Sequence, residues 1–371
     1  MNDLTVVIVN YRVKYFLEQT LASVVEATAG MTTQIVVVDN ASGDDSIDYC
    51  RRRFPDVTYV ENNENVGFSR ANNQAIMAAD SLFTLILNPD TVVTKRCLDE
   101  CRRLMAEEPD CAAVGVHMVD GDGVFLPESK RAYPSPWVSF CKIFGLSALF
   151  PRSPLFAKYH LRYLDERKPH RVDILSGAFM FCRTERLQAV GGFDEDFFMY
   201  GEDIDLSYRL AQKGWHNRYL PVDIIHYKGE STKKDSMRYV KVFYDAMLIF
   251  YRKHFPRARW FFYPFIKLGV LVRMGAAMLR RLLPKGKRAN AVAAPWTIVS
   301  DRPQEVAEAV KIAEFNTALI TDGPENVLLD NSTMTYSDIV DFIVANSRRQ
   351  RSFHIYSDAA RVVISPKISQ Q

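Results

Sequence analysis

The chain has 371 residues, of which 48% are hydrophobic and 25% are charged, and its formal net charge is +3. This length suits two domains, or one large domain with an appendage, and the apolar content is sufficient for a sizeable core. The six cysteines form no CxxC pair and no Cys/His metal-ligand spacing, which argues against a cysteine metal site and suits a reducing cytosol. Residues 1–6 contain neither a basic region nor a cleavage site, so we expect no signal peptide and a cytoplasmic protein.

The small net charge conceals a strongly basic block. The segment 228–288 contains 16 Lys and Arg residues against three acidic residues, so the remainder of the chain is acidic. Such a block indicates an anionic partner, which the charge alone leaves open as phosphates, anionic lipid or nucleic acid.

Apolar β-branched runs alternate with helical patterns in the first third of the chain. The predicted strands cover 4–9, 35–38, 57–60, 82–87 and 112–116, and the predicted helices cover 15–25, 69–79 and 94–105. The strand runs lack polar alternation, which is typical of parallel strands covered on both faces. The βα order therefore predicts a doubly wound, mostly parallel α/β sheet, whose ligands bind beyond the carboxyl ends of the strands.

The remaining segments have a different character. Residues 117–170 are rich in proline and aromatic residues and are predicted to form a loop or lid. Residues 236–284 are helical, aromatic and basic, and a linker follows from about residue 285. Strands at 327–329 and 352–355 and a helix at 336–345 suggest a small α/β unit. We therefore predict three units, at 1–235, 236–288 and 289–371.

Polar side chains follow the predicted strands at the points where these strands end. Asn10 and Tyr11 follow the first strand, Asp39 and Asn40 the second, and the tripeptide 88–90, Asn-Pro-Asp, the fourth. An aspartate at the end of a buried strand can hold Mg²⁺ or Mn²⁺ against a nucleotide diphosphate, although Asn-Pro-Asp taken alone is better interpreted as an ordinary turn. The absence of GxxxxGK[ST] and of GxGxxG after the first strand disfavours P-loop ATPases and dinucleotide dehydrogenases.

An asparagine-rich stretch covers residues 62–73. Its amides, together with those of 39–42, have donors and acceptors suited to a base edge and a ribose. Gly67 would let the backbone approach a ligand, and Arg70 would meet a phosphate or base. The alternative is an asparagine-rich loop followed by a helix cap at Ser69.

The segment 192–210 combines six carboxylates with apolar and aromatic residues. Carboxylates held against apolar walls have perturbed pKa values, which is how a chain makes a general base. The alternative is a helix N-terminus, where the helix dipole favours Glu202 and Asp203. His226 follows an apolar pair and is either a packed histidine or a metal ligand.

Together these motifs resemble those of family 2 inverting glycosyltransferases with the GT-A fold, in the rhamnosyltransferase-like group. The resemblance covers about residues 1–230, with the matching segments in the right order: 6–11, 37–42, 62–73, 87–90, 176–180, 191–195, 201–206 and His226. Each motif is weak alone, and the ordered set is specific. The first Asp of the family's DXD motif is Asn88 here, which leaves one fewer anionic ligand.

The resemblance implies a role for each matching residue. Asp203 would be the general base, supported by Glu202 and Asp205, in a direct displacement at the anomeric carbon. Asp90 and His226 would hold Mg²⁺ or Mn²⁺, which neutralises the departing diphosphate. The donor would contact Asn10, Tyr11, Asp39, Asn40, Gly67, Arg70, Asn88 and Gly177, with Asp39 at a pyrimidine ring. The donor is expected to be dTDP-rhamnose or a UDP-hexose.

The segment 260–283 has the length of a membrane span. Lys267 and Arg273 make spanning costly, so an amphipathic segment lying in an anionic membrane surface fits better. The alternative is a helix pair that packs on the catalytic domain. We expect a peripheral protein on the inner face of the plasma membrane, with a lipid-linked or glycan acceptor.

Two other functions compete with a sugar transferase. A non-catalytic, membrane-tethered module that binds a nucleotide sugar or glycan is disfavoured because Asp90, Asp203 and His226 are intact. A nucleic-acid-binding protein is disfavoured because the basic residues alternate with apolar ones and no recognition module is present. Processive synthases are disfavoured by the absence of QxxRW.

Overall fold

The larger of two sheets has nine strands in a computed structural model that describes residues 1–229, 237–255, 294–320, 323–347 and 350–365. Its strands are β1 (Asn2–Asn10), β2 (Thr33–Asp39), β3 (Thr58–Glu61), β4 (Ser81–Leu87), β5 (Thr91–Val92), β6 (Cys111–Val119), β7 (His170–Val172), β8 (Phe179–Arg183) and β9 (His216–His226). The spatial order is β3-β2-β1-β4-β8-β6-β9-β5, and β7 pairs with β9.

The strands from β3 to β4 pair in parallel, as do β6 and β9. β8 runs antiparallel between β4 and β6. The predicted doubly wound, mostly parallel α/β sheet is therefore confirmed, and each of the five strands predicted in this region is present within a few residues of its predicted bounds.

Helices cover both faces of this sheet. They are α1 (Lys14–Ala27), α2 (Ser46–Arg53), α3 (Phe68–Ile76), α4 (Lys95–Glu107), α5 (Pro136–Ile143), α6 (Leu146–Leu149), α7 (Thr184–Ala189), α8 (Glu202–Gln212) and α9 (Met237–His254). Successive residues of β1 enter different cores: Val6 and Ile8 pack in one cluster, Val7 and Val9 in another. Burial on both faces explains why the strand runs lack polar alternation.

The segment 117–170 is more ordered than the loop or lid predicted for it. It contains the end of β6, the helices α5 and α6, and short 3-10 turns at Pro127–Ser129 and Lys158–His160. The prediction failed because these helices are short and carry aromatic residues on outward positions, which obscures helical periodicity.

The helix α9 packs on the large sheet unit. Ala246 and Phe250 belong to one core cluster with Phe197 and Ile204, and His254 Nε2 lies 2.6 Å from Asp205 Oδ1. This part of the predicted unit 236–288 therefore follows the packing alternative. The segment 260–283, for which membrane-surface binding is predicted, lies outside the described residues. Within the described part, no helix is long and apolar enough to cross a bilayer.

The C-terminal residues form a second, five-stranded sheet. Its elements are β10 (Trp296–Val299), α10 (Pro303–Ala309), β11 (Phe315–Asn316), β12 (Glu325–Asp330), α11 (Tyr336–Asn346), β13 (Arg351–Ser357) and β14 (Val362–Ile364). The spatial order is β11-β10-β12-β13-β14. The small α/β unit predicted here is present, and β12, α11 and β13 match its three predicted elements.

This C-terminal unit shares a core with the large sheet unit. Phe16 and Tyr227 belong to the same buried cluster as Ile339 and Phe353. Across the boundary, the carboxylate of Glu26 accepts a hydrogen bond from the backbone N–H of Tyr336 at 3.0 Å. The two units are thus joined by apolar burial as well as by polar contacts.

Candidate active site

A cleft of about 370 Å³ opens at the carboxyl ends of β1 and β4, between α8, the end of β9 and the segment 128–160. Eight of the sequence-predicted site residues line it: Tyr11, Asn40, Asn88, Asp90, Gly177, Glu202, Asp203 and His226. The other five do not line the cleft; they are Asn10, Asp39, Gly67, Arg70 and Asp205. The strand-end rule thus located the crevice, although not every residue assigned to it.

Asp39 ends β2 and is held by a tight polar network. Its Oδ1 accepts hydrogen bonds from Asn10 Nδ2 at 2.7 Å and Ser42 Oγ at 2.5 Å, and its Oδ2 accepts one from the Ser42 N–H at 2.9 Å. Asn10 is fully buried and also donates to the hydroxyls of Ser42 and Ser46. Asn10 therefore positions Asp39 from behind, in a network that fixes the carboxylate in place.

The asparagine-rich loop is held by Asn40. Its Oδ1 accepts the N–H of Val66 at 3.0 Å, and its Nδ2 donates to the carbonyl of Gly67 at 3.2 Å. Gly67 has φ +88°, and a Cβ there would lie 2.6 Å from the carbonyl oxygen of Phe198. In this structure the close approach that requires glycine is thus to Phe198, not to the open cleft. Arg70 makes an exposed ion pair with Glu195 at 3.1 Å.

Asp90 and His226 meet at one point of the cleft. Asp90 Oδ1 lies 3.4 Å from His226 Nε2, and both side chains are buried. The pairing of β5 with β9 sets this contact, because Thr91 lies opposite His226 in the register. The Asn88 amide nitrogen lies 3.3 Å from the same imidazole nitrogen. Within the described ranges, no group of three or more His, Cys, Asp or Glu side chains is placed to hold a metal ion by itself.

Asp203 lies in the first turn of α8 and faces the cleft. Its Oδ2 accepts hydrogen bonds from Arg131 Nη2 at 2.5 Å and from the Gly177 N–H at 3.2 Å. Arg131 is buried and also donates to the carbonyl of Leu175 at 2.6 Å. A Cβ at Gly177 would lie 3.4 Å from the Cβ of Asp203, in ordinary van der Waals contact, so Gly177 packs directly beside Asp203. Sequence reasoning missed Arg131, because its segment carries no motif.

Glu202 lines the cleft beside Asp203 and is also buried. Burial, the charge of Asp203 and, less strongly, that of Asp205 raise the pKa of Glu202 to about 8, against the lowering effect of Arg131. Its Oε2 has no hydrogen-bond partner among the described residues. Glu202 is therefore protonated at neutral pH, next to a carboxylate whose partner is a guanidinium.

Asp205 lies away from the cleft, on the side of α8 that meets α9. It is fully buried, with Arg209 Nε 2.6 Å from Oδ2 and His254 Nε2 2.6 Å from Oδ1. Burial works to raise the pKa of Asp205, but the hydrogen bonds and charges of His254 and Arg209 outweigh it and lower the pKa. Asp205 contacts these two partners, so in this structure it anchors α9 to α8.

Cationic and aromatic groups from segment 128–160 form the wall opposite the strand ends. Lys142 Nζ lies 3.4 Å from the ring centroid of the buried Tyr159. Burial, with the charges of Lys142 and Arg131, lowers the pKa of His160 to about 3, so this histidine is neutral. Lys228 forms an ion pair with Glu128. Burial works to raise the pKa of Glu128, but the charge and hydrogen bond of Lys228, with smaller contributions from a backbone hydrogen bond and His226, together lower it. Sequence reasoning assigned none of these groups.

The cleft lies beyond the carboxyl ends of parallel strands, where open α/β sheets bind their ligands. The family model for glycosyltransferase like family 2 matches residues 2–243. The chain belongs to this family and is a glycosyltransferase.

The chain is also similar to individual proteins. The chain is 31% identical over 259 residues to an N-acetylglucosaminyl-diphospho-decaprenol L-rhamnosyltransferase of Mycobacterium tuberculosis, covering 67% of this chain and 83% of the relative. It is 27% identical over 231 residues to the low-salt glycan biosynthesis hexosyltransferase Agl10 of Haloferax volcanii, covering 61% and 67%. A solved mannosyltransferase from Pyrobaculum calidifontis, in complex with GDP-Man and Mn²⁺, is 18% identical, with a TM-score of 0.48 and 75% of each chain covered.

Proposed function

We propose that the protein is an inverting, metal-dependent transferase that moves a sugar from a nucleotide diphosphate to a hydroxyl of a lipid-diphosphate-linked acceptor. The proposed sugar is L-rhamnose, on the similarity to the rhamnosyltransferase of M. tuberculosis. The observation that carries the proposal is the placement of Asp203, which is 14% exposed, has its Oδ2 held by two donors and faces the same cleft as Asp90 and His226.

The donor's nucleotide is assigned to the carboxyl ends of β1 and β2. Tyr11 and Asn40 line the cleft there, and the fixed carboxylate of Asp39 can accept hydrogen bonds from the N–H of a pyrimidine ring. We assign Asn88 to the ribose. Arg70 is engaged with Glu195 and would have to leave that exposed ion pair to reach the nucleotide.

Asp90 and His226 fit one divalent cation. Ligands at about 2.1 Å from a metal lie roughly 3 Å from each other, and the two side-chain atoms are 3.4 Å apart. Since the described residues bring these two groups together, the donor's diphosphate oxygens would supply further ligands. Mg²⁺ or Mn²⁺ held there would neutralise charge on the departing nucleotide diphosphate.

Asp203 is assigned the role of general base. It takes the proton from the acceptor hydroxyl while that oxygen attacks the anomeric carbon from the side opposite the leaving group. The bond from the anomeric carbon to the diphosphate oxygen breaks, and the nucleotide diphosphate leaves with the electron pair. A single displacement inverts the anomeric configuration, and no enzyme nucleophile is required.

The neighbours of Asp203 keep it in place for this step. Arg131 and the Gly177 N–H donate to Oδ2 of Asp203, and the Ile204 N–H donates to Oδ1 at 2.8 Å. The carboxylate is therefore already oriented when the acceptor hydroxyl reaches it. Glu202, protonated at neutral pH, adds no second negative charge beside the base.

The experiment is a donor panel with purified full-length protein. UDP-, dTDP- and GDP-sugars are incubated with Mg²⁺ or Mn²⁺ and with a lipid-diphosphate-linked GlcNAc acceptor, and released nucleotide and glycosylated lipid are measured. We expect one donor to be consumed with formation of an inverted product. Donor binding without turnover for every donor and this acceptor would favour the non-catalytic module, and no donor binding would refute a sugar transferase.

A further inference from the structure

A hairpin of two short helices carries aromatic residues on its outer side. This aromatic hairpin, residues 135–157, contains α5, α6 and the turn that returns to Tyr159. Five rings are in contact in a continuous row, with neighbouring centroids 4.6–6.1 Å apart, in the order Phe144, Phe140, Trp137, Phe156 and Phe150. The Trp137 indole donates to the Leu155 carbonyl at 3.1 Å, which fixes the row across the hairpin.

Much of this apolar surface faces solvent. Leu149 is 70% exposed and Leu155 57%, and Trp137 is still 46% exposed despite its ring contacts. Val138, Cys141 and Ala157 are buried and attach the hairpin to the body of the protein. An exposed patch of large apolar side chains on an anchored element indicates an interaction surface.

The charges around this patch have one sign. The segment 130–164 contains six Lys and Arg residues and no Asp or Glu. Arg152, Lys158 and Arg162 are exposed. Within the segment 130–164, aromatic and leucine side chains alternate with positive charge, which is the composition of segments that enter the interface of an anionic bilayer.

The patch is continuous with the catalytic cleft. Lys142 lies on α5 with Trp137 and Phe140, and Tyr159 and His160 follow the hairpin directly; all three of the residues Lys142, Tyr159 and His160 line the cleft. A membrane lying on the outer side of the hairpin would therefore bring its headgroup level to the cationic wall of the cleft. This is where the diphosphate of a lipid-linked acceptor must be presented.

We infer that the aromatic hairpin is the surface through which the protein docks on an anionic lipid bilayer and presents its cleft to the headgroups. The inference rests on the proposed lipid-linked acceptor, and it places the docking surface in a different segment from 260–283. Docking uses no covalent step: the leucines and rings enter the interface, and Arg152 and Lys158 meet lipid phosphates.

The first test is co-flotation of the full chain with vesicles of phosphatidylcholine and phosphatidylglycerol, compared with phosphatidylcholine alone. The triple variant Trp137→Ser/Leu149→Ser/Leu155→Ser is compared with the control Val25→Ser/Met77→Ser/Leu82→Ser, whose residues are similarly exposed on other elements. We expect the hairpin variant to bind the anionic vesicles at least about tenfold more weakly, and the control to bind as the unmodified chain does.

A second variant tests the contribution of the positive charges without changing apolar side chains. Arg152→Glu/Lys158→Glu changes only exposed side chains, and we expect roughly fivefold weaker binding for each positive charge removed. Thermal melting of each variant checks that it folds. The inference is overturned if the unmodified chain does not bind anionic vesicles, or if folded hairpin variants bind them as tightly as the unmodified chain. It is also overturned if the hairpin mediates a dimer and does not bind lipid.

Donor turnover separates this inference from the proposed function. With a water-soluble, short-chain acceptor analogue, the hairpin variants should transfer sugar at the rate of the unmodified chain. Loss of transfer only with vesicle-embedded acceptor supports docking. If the chain binds vesicles through the hairpin but turns over no donor, the docking surface is supported and the transferase mechanism is refuted.

Discussion

Arg131 donates through Nη2 to Oδ2 of Asp203 across 2.5 Å, and the backbone N–H of Gly177 donates to the same oxygen at 3.2 Å. Two donors on one oxygen hold the carboxylate in a single orientation at the wall of the cleft. Arg131 is fixed in turn by the Leu175 carbonyl. The proposed base is therefore oriented by the fold before any substrate binds.

Replacing Asp203 with asparagine should abolish transfer and spare donor binding. The amide can still accept the hydrogen bonds of Arg131 and Gly177, but it cannot take a proton, so we expect kcat to fall by about 10²–10⁴. The matched control is Asp196→Asn, which changes a 58% exposed carboxylate outside the cleft. Initial rates and nucleotide-induced thermal shifts measure the two effects. An Asp203→Asn enzyme with normal kcat would exclude this residue as the base.

The sequence predicted the parts of the site that depend on regular structure. Polar residues after buried strands had to meet at one edge of a parallel sheet, and Tyr11, Asn40, Asn88 and Asp90 do line one cleft. Arg131 escaped prediction because 72 residues separate it from Asp203, in a segment without periodicity. A local sequence pattern does not show a contact between two side chains that are so far apart in the chain.

Residue type alone did not show which contacts two of the predicted site residues make. The positive φ of Gly67 and its lack of a Cβ allow contact with the backbone of Phe198, and its approach to a ligand stays a prediction. Asp205 binds His254, 49 residues later, and its support of the base stays a prediction. In both cases the partner belongs to another element, and a single sequence does not show which elements meet.

Metal removal should stop the reaction, and Asp90 and His226 should set the metal requirement. Treatment with EDTA is expected to abolish turnover, and Mn²⁺ or Mg²⁺ to restore it. Because each variant removes one of the two ligands proposed among the described residues, Asp90→Asn and His226→Ala should need roughly tenfold more metal for half-maximal rate. Asp45→Asn, at an exposed ion pair with Lys14, is the control. Full activity in EDTA would contradict a metal-dependent mechanism.

The buried carboxyl of Glu202 should make stability depend on pH. Its pKa is raised from 4.5 to about 8 by burial and by Asp203. Between pH 4.5 and about 8, the carboxyl of Glu202 is protonated in the folded protein and ionised in the unfolded chain. The free energy of unfolding therefore falls as pH rises through this range, and Glu202 causes no further change above it. Glu202→Gln removes the carboxyl and therefore this loss of stability. The melting temperature of the variant, relative to that of the unmodified chain at the same pH, should be higher at pH 9 than at pH 5. An equal gain at both pH values would contradict the raised pKa.

The contact between His254 and Asp205 should stabilise the attachment of α9. His254→Ala removes one of two partners of a fully buried carboxylate, and we expect a loss of about 1–3 kcal/mol in the free energy of unfolding. Lys253→Ala, at partly exposed ion pairs next to it, should cost about 0–1 kcal/mol. Urea unfolding measures both.

The same contact predicts how acid acts on α9. The pKa of Asp205 is lowered from 3.8, so the stability it contributes is present above that pH and is lost as pH falls through its folded value. His254→Ala should weaken this acid sensitivity, since it removes a group that lowers the pKa. An unchanged slope of stability against pH below about 4 would show that Arg209 alone sets it.

The shared core between the C-terminal unit and the large sheet unit should make them unfold together. Ile339 of α11 is fully buried in the cluster that contains Phe16 of α1, and Ile339→Ala should cost about 2–5 kcal/mol. A nucleotide diphosphate bound in the cleft should raise the melting temperature of the same single transition that Ile339→Ala lowers. Val25→Ala, at an exposed position on α1, should leave that transition unchanged. If Ile339→Ala instead produced a separate early transition, with the nucleotide-responsive one unmoved, the C-terminal unit would be an independent domain despite its buried boundary.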